Sequence, residues 1–327
     1  MEALYPLIFQ TIFKEKIWGG EKIRTVLGKD FSPLSNCGET WEISGVKGNE
    51  SMVSNGQLAG CSLPELIRKY KGELVGEMVF NKFEDQFPLL VKFIDANDDL
   101  SVQVHPDDAL AKARHDSFGK TEMWYVIQAD KNAKLVSGFN KPIDQETYLQ
   151  HFNENKLFDI LNQESVNSDD VYFLPAGRVH TIGKGLLIAE IQQTSDITYR
   201  IYDFDRKDAN GNRRELHVEQ ALDAIDYEYF DDYKTQYEAA NNQASSLVQC
   251  DYFHTQKIVF DEIVERDYSE IDSFVIYVCL DGEFELGYGP SQSIRVKKGD
   301  AVLVPACFKE IGLHPLKPSN ILESYVP

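Results

Sequence analysis

Four side chains with metal-binding chemistry stand where a folded sheet could bring them together. Gln103 and His105 lie two apart in LSVQVHPDD (100–108), Glu122 follows in GKTEMWYV, and His180 comes later in PAGRVHTIG. Leu100, Val102 and Val104 alternate with Ser101, Gln103 and His105, the period of a strand with one apolar and one polar face. Pro106 lacks a backbone donor, which predicts that the strand ends at His105. Gln103 and His105 then share a face. Two imidazoles, one carboxylate and one amide oxygen suit Zn²⁺, with room left for water or substrate. With a single carboxylate the centre keeps a formal charge of about +1, enough to stabilise an anion forming on a substrate oxygen. A two-histidine, one-carboxylate iron centre for oxygen chemistry is the alternative, and Asp107 stands where its carboxylate would be. Pro106 interposes a turn there, however, and DDALAKARHD reads as a capped helix start, so iron ranks second.

Further polar residues interrupt apolar runs. In GLLIAEIQQ, Glu190 shares a face with Leu186 and Ile188, which implies a carboxylate held inside and therefore paired. In SDITYRIYDF, Asp196, Thr198 and Arg200 alternate with Ile197, Tyr199 and Ile201, a polar face that follows closely on His180. Lys120 stands two residues before Glu122, and Lys92 lies inside PLLVKFIDA, where an ammonium must meet an anion or reach water. His115, His151, His217, His254 and His314 lack partners at ligand spacing and read as surface or satisfied core residues.

The elements that must position these groups are mostly strands. Short runs rich in Val, Ile, Tyr and Phe recur between Gly, Asp and Asn turns: CGETWEISG, PLLVKFIDA, MWYVIQAD, DVYFLPAG, GLLIAEIQQ, SFVIYVCLDGEFELGY and AVLVPA. Helical patterns intervene at LPELIRKYKGELVGEM, DDALAKARHDS, DQETYLQHFNENKLFDILNQ and LHVEQALDAI. Without regular helical crossovers, the strands predict antiparallel sandwiches or barrels. SDDVYFLPAG (168–177) lines up with KGDAVLVPAC (298–307), matching Asp170 to Asp300 and Pro175 to Pro305. A turn, a buried strand and a Pro-Ala exit, found twice, resemble two jelly-roll barrels of the cupin type. The expected architecture is mainly β, with intervening helical segments. Residues 1–235 would form a catalytic metal-binding barrel and 236–327 a metal-free jelly roll. Only the first copy continues into a histidine.

Composition narrows the partners. Of 327 residues, 33 are Lys or Arg and 53 Asp or Glu, a formal net charge of −20. Such a surface repels polyanions, which excludes nucleic acid and anionic membrane. A small anionic substrate needs local cations. The five scattered cysteines include no C-x-x-C pair, and the N-terminus lacks a basic-then-apolar order, so a reducing cytoplasm is expected. Oligomeric state is left open.

The blocks FPLLVKFIDANDDLSVQVHPDD, GKTEMWYVI and PAGRVHTIGKGLLIAEIQQTSDITYRIYDFDR, with IWGG and GETWEIS near the N-terminus, resemble the type I mannose-6-phosphate isomerases in their short bacterial form. The resemblance implies a zinc-dependent aldose–ketose isomerase acting on a hexose 6-phosphate. It implies one zinc on Gln103, His105, Glu122 and His180, and a catalytic Arg200 with Asp196 and Glu190 beside it. Ser101, Lys92 and Lys120 would help bind phosphate or sugar hydroxyls, and Arg206 stands near a lysine of the longer members. The proton-transfer base is open between Asp196, Lys120 and a metal-bound water. An iron oxygenase and a non-catalytic sugar-phosphate sensor are the competing classes.

Overall fold

The strand-forming runs assemble into three antiparallel sheets in the computed structural model, which describes residues 2–207 and 211–327. A six-stranded sheet has the order Ile12–Lys14, Glu39–Ser44, Leu89–Ala96, Leu186–Gln193, Glu122–Ala129, Val171–Leu174. A five-stranded sheet has the order Tyr199–Tyr202, Val102–Val104, His180–Ile182, Lys134–Phe139, Leu161–Ser165. These two face each other as the first barrel, sharing the apolar cluster of Trp18, Ile94, Trp124, Val126, Leu135 and Ile182. The third sheet has eight strands and forms the second barrel around Val275–Gly289 and Glu310–Tyr325.

Alternation along each strand sorts the chain into layers. In Leu89–Ala96, Leu89, Val91 and Phe93 face the second barrel, in one core with Ile276, Val278 and Leu303. Lys92 and Ile94, on the other face, point into the first barrel, so the strand is buried on both sides. The outer face of the five-stranded sheet, with Val102, Val104 and Tyr199, packs with Tyr148 and Ala221 of the helices Gln145–Asn153 and Val218–Ala224. The N-terminal strand Leu7–Ile8 pairs with Ala301–Val304, so the start of the chain completes the sheet of the second barrel.

The internal repeat is a repeat of turn chemistry. Asp170 accepts the amide of Asn167 at 2.8 Å, and Asp300 accepts that of Lys297 at 3.0 Å. After the strands, the carbonyls of Pro175 and Pro305 accept from Arg178 and Phe308 at 3.1 and 3.0 Å. Each Asp fixes the turn that launches its strand.

Four local expectations are corrected. The strand through Gln103 ends at Val104, leaving His105 just beyond it, before Pro106. The strand carrying Arg200 begins at Tyr199, so Asp196 and Thr198 lie in the loop before it. Residues 144–163 do not form one helical unit. Asn155 adopts a left-handed φ of 57°, which stops the helix, and Leu161–Ser165 is a strand. LPELIRKYKGELVGEM is broken into Leu63–Tyr70, Gly72–Val75 and a third helix from Glu77, with positive φ at Lys71 and Gly76. All five cysteines are free, and among the described residues no helix is long and apolar enough to cross a membrane.

Candidate metal centre and active site

Strand register brings the polar residues into two facing rows. On the five-stranded sheet, Arg200 pairs with Gln103 and Gln103 with His180. On the six-stranded sheet, Trp41 pairs with Lys92, Lys92 with Glu190 and Glu190 with Trp124. Directly opposed residues share a face, so each row projects as a unit. Glu122, two residues before Trp124, projects the same way.

Between the rows His105, Glu122 and His180 converge, with ligating atoms within 4.8 Å of one another and all three side chains buried. His105 Nδ1 lies 2.9 Å from the carbonyl of Ile197, and His180 Nδ1 lies 2.8 Å from that of Arg178. Each Nδ1–H therefore donates to backbone, which turns an Nε2 lone pair inward. These Nε2 atoms stand 3.5 and 3.3 Å from the two oxygens of Glu122. Both Glu122 oxygens are fully buried, and neither accepts a well-directed hydrogen bond. Lys120 Nζ lies 3.0 Å from Glu122 Oε2 and 3.0 Å from His105 Nε2. The Gln103 amide sits 3.2 Å from His180 Nε2, and a half-turn of that amide would present Oε1 instead. Burial, reinforced by the charge of Glu190, pushes Glu122 up to about 7. Burial lowers His180 to about 4 and His105 well below its ordinary value. Neutral imidazoles with inward lone pairs, beside a carboxylate short of donors, fit a divalent cation. Asp107 does not join them; its carboxylate caps the helix Asp108–His115 through the amide of Leu110 at 2.8 Å.

Above this cluster opens a cavity of about 410 Å³. Ser101, Gln103, Lys120, Lys92, Glu190 and Arg200 line it, and Asp196 stands exposed on its wall. Lys92 Nζ pairs with Glu190 at 3.1 Å, and Trp124 Nε1 donates to the other Glu190 oxygen at 2.8 Å. Burial pulls the Lys92 ammonium down, but Glu190, Glu39 and Glu122 outweigh it and leave it above its usual value. Glu190 feels the mirror effect: burial raises it, and Lys92 and Lys120 bring it below the usual carboxylate range. Arg200 Nη1 donates to the Glu215 carbonyl at 2.8 Å, while its buried Nε has no partner.

Arg206 is the site residue that the structure sets apart. It does not line the cavity; Asp203, three residues earlier, holds its guanidinium at 2.6 Å. Arg214 lines the cavity and also binds Asp203, at 2.7 Å through Nε. Lys14, Lys16, Glu39, Trp41 and Asn49 also line the wall, and no motif in the sequence singles them out. What signal there is lies in the GETWEIS strand and the edge strand beside it, where Lys14 pairs with Glu39.

Comparison with known proteins decides the family. The family model "Phosphomannose isomerase type I, catalytic domain" matches residues 7–134, and "Mannose-6-phosphate isomerase, cupin domain" matches residues 243–314. The mannose-6-phosphate isomerase ManA of Bacillus subtilis is 34% identical over 309 residues, 92% of this chain and 93% of the relative. The chain belongs to the type I phosphomannose isomerase family. The mannose-6-phosphate isomerase of Streptococcus mutans is 43% identical over 220 residues, 67% of each protein. The crystal structure of the Bacillus subtilis mannose 6-phosphate isomerase superposes with a TM-score of 0.87 at 33% identity, covering 98% of this chain and 99% of the other. Membership makes the protein an isomerase and both barrels cupin folds.

Proposed function

We propose that this protein interconverts mannose 6-phosphate and fructose 6-phosphate at one zinc centre per chain, held by Gln103, His105, Glu122 and His180. The observation that carries the proposal is the pair of imidazoles tied by Nδ1 to backbone carbonyls, facing a buried carboxylate with no directed hydrogen bond. The isomerisation moves a proton between C2 and C1 through an enediol(ate), and negative charge grows on an oxygen of one of these carbons. Bound zinc supplies a Lewis acid for that oxygen. Arg200, beside Gln103 in the row, offers the same oxygen a fixed cationic donor, and its unpartnered Nε has hydrogen-bonding capacity to give. Asp196 and Lys120 line the cavity, and the proton transfer falls to this pair. Ser101, Lys92 and Glu190 present a hydroxyl, an ammonium and a carboxylate to the sugar hydroxyls.

In this reading residues 1–235 are the catalytic unit and 236–327 the supporting one, joined by an apolar core that both contribute to. A cytoplasmic location agrees with five unpaired cysteines. The test is a coupled assay of mannose 6-phosphate against fructose 6-phosphate before and after exhaustive chelation. Turnover should vanish with the metal and return with added Zn²⁺. Undiminished turnover after chelation, or oxygen consumption restored by iron alone, contradicts the proposal.

A further inference from the structure

The cations lining the cavity are unequally committed. Lys16 is paired with Glu39 at 3.0 Å, Lys92 with Glu190 at 3.1 Å and Lys120 with Glu122 at 3.0 Å, while Arg214 is held by Asp203. Among the described residues Lys14 has no carboxylate partner. Its ammonium meets only the neutral side-chain oxygen of Asn49 and lies 4.7 Å from the centre of the Trp41 ring. Glu39 does not serve it, being engaged by Lys16 and, at 2.9 Å, by Trp41 Nε1. Burial and the neighbouring Lys16 lower the Lys14 ammonium below its usual value, with Glu39 and Asp196 opposing and Lys92 adding to the strain. An arriving anion would relieve that repulsion. Arg200 also lacks a carboxylate, but it stands beside Gln103 at the metal end.

Position separates these two cations. Lys14 is on the edge strand, four strand spacings from the strand of Glu122, roughly 19 Å across the sheet at about 4.8 Å each. Its side chain leans back over Trp41, the neighbouring strand, into the cavity. An open-chain hexose 6-phosphate has its reacting carbons at one end and its phosphate at the other. With C1 and C2 at the metal end, a phosphate extended along the sheet toward its edge strand would meet Lys14.

We propose that Lys14, seated between Trp41 and Asn49, is the principal phosphate-binding cation of the substrate cavity, an inference that rests on the isomerase reading above. The lysine supplies the charge, and Asn49 supplies an amide nitrogen that makes no other side-chain hydrogen bond among the described residues. Lys92 is excluded from this role, because its ammonium is already neutralised by Glu190 deep in the barrel. Lys14 thus sets specificity for a phosphorylated sugar and takes no part in moving the proton.

The experiment compares wild type, Lys14→Ala and Lys14→Arg, each checked for bound zinc and for an unchanged circular dichroism spectrum. Inorganic phosphate is titrated calorimetrically into each protein, and KM and kcat are measured for mannose 6-phosphate. Lys14→Ala should weaken phosphate binding and raise KM by about 10–100-fold, with kcat within about threefold of wild type, and Lys14→Arg should recover most of the loss. Phosphate binding by Lys14→Ala that equals wild type, or a fall in kcat with KM unchanged, overturns the proposal. The isomerase reading fails separately: wild-type protein that binds phosphate through Lys14 yet does not turn over mannose 6-phosphate keeps the anion site and loses the reaction.

Discussion

The amide of Val126 donates to Asp170 in the first barrel and that of Cys279 to Asp300 in the second, both at 2.9 Å, so Val126 and Cys279 occupy corresponding positions. Four residues back, Glu122 then corresponds to Val275; two back, Trp124 corresponds to Tyr277. Across the sheet Trp124 faces Glu190 and Tyr277 faces Glu323, so each barrel keeps a buried carboxylate at one place. What surrounds that carboxylate differs. Glu323 receives Arg266 on both oxygens, at 2.9 and 2.7 Å, and the Tyr268 hydroxyl as well. Around it the second barrel is filled by Val275, Val302, Phe284 and Leu286. In the first barrel Glu190 is satisfied by Lys92 and Trp124, but Glu122 adds a second carboxylate whose oxygens lack directed donors. One plan yields a closed interior whose carboxylate is held by Arg266 and Tyr268, and an open one whose second carboxylate, with Lys120 beside it at 3.0 Å, faces two imidazoles across the cavity floor.

The largest effect comes from installing the second barrel's residue in the first. Glu122→Val should lose bound zinc and lower turnover by at least about 10³-fold while the protein still folds. Retained zinc with near-normal turnover would show that Glu122 is not what separates the barrels. Next, Arg200→Ala should keep zinc and lose about 10²–10³-fold in kcat, read by steady-state kinetics. A rise in KM alone would make Arg200 a substrate clamp.

The second barrel should answer in stability instead. Arg266→Leu strands the buried Glu323 carboxylate and should cost about 3–5 kcal/mol in urea denaturation, with kcat per folded molecule unchanged. A loss of turnover at full stability would give the second barrel a part in the reaction. The smallest effect tests the shared turn: Asp300→Ala should cost about 1 kcal/mol, and Asp170→Ala at least as much, because Asp170 also holds Lys234 at 2.7 Å. No change at Asp300 would reduce the repeat to coincidence.

Much of this contrast was legible in the chain. The alternation through Ser101, Gln103 and His105 pointed to two candidate ligands side by side, although the strand itself ends at Val104, and the repeated Asp and Pro of the two turns pointed to both barrels. Lys92 and Glu190 were recognisable because charges inside apolar runs need partners, and register made each the other's. What stayed hidden depended on distant contacts or on local competition. Lys14 and Lys16 come from an edge strand and its exit, too short and too evenly half-buried to show an alternating pattern. Leu7–Ile8 joins the far sheet by a pairing nearly 300 residues away in sequence. Arg206 binds Asp203 and the carbonyl of Asp99 away from the cavity wall, whereas Arg214, which shares Asp203, lines it, a difference set by contacts distant in sequence. The helix expected through residue 163 fails at Asn155, whose left-handed backbone no apolar period reveals.

The most direct test of the account is the zinc content of the purified protein, measured per chain by mass spectrometry on wild type and His180→Ala in parallel. Wild type should carry about one zinc per chain and His180→Ala less than about a tenth of that, because His105, Glu122 and His180 are the one such cluster among the described residues. Two zinc ions per chain, iron as the principal metal, or full zinc retention by His180→Ala would contradict it.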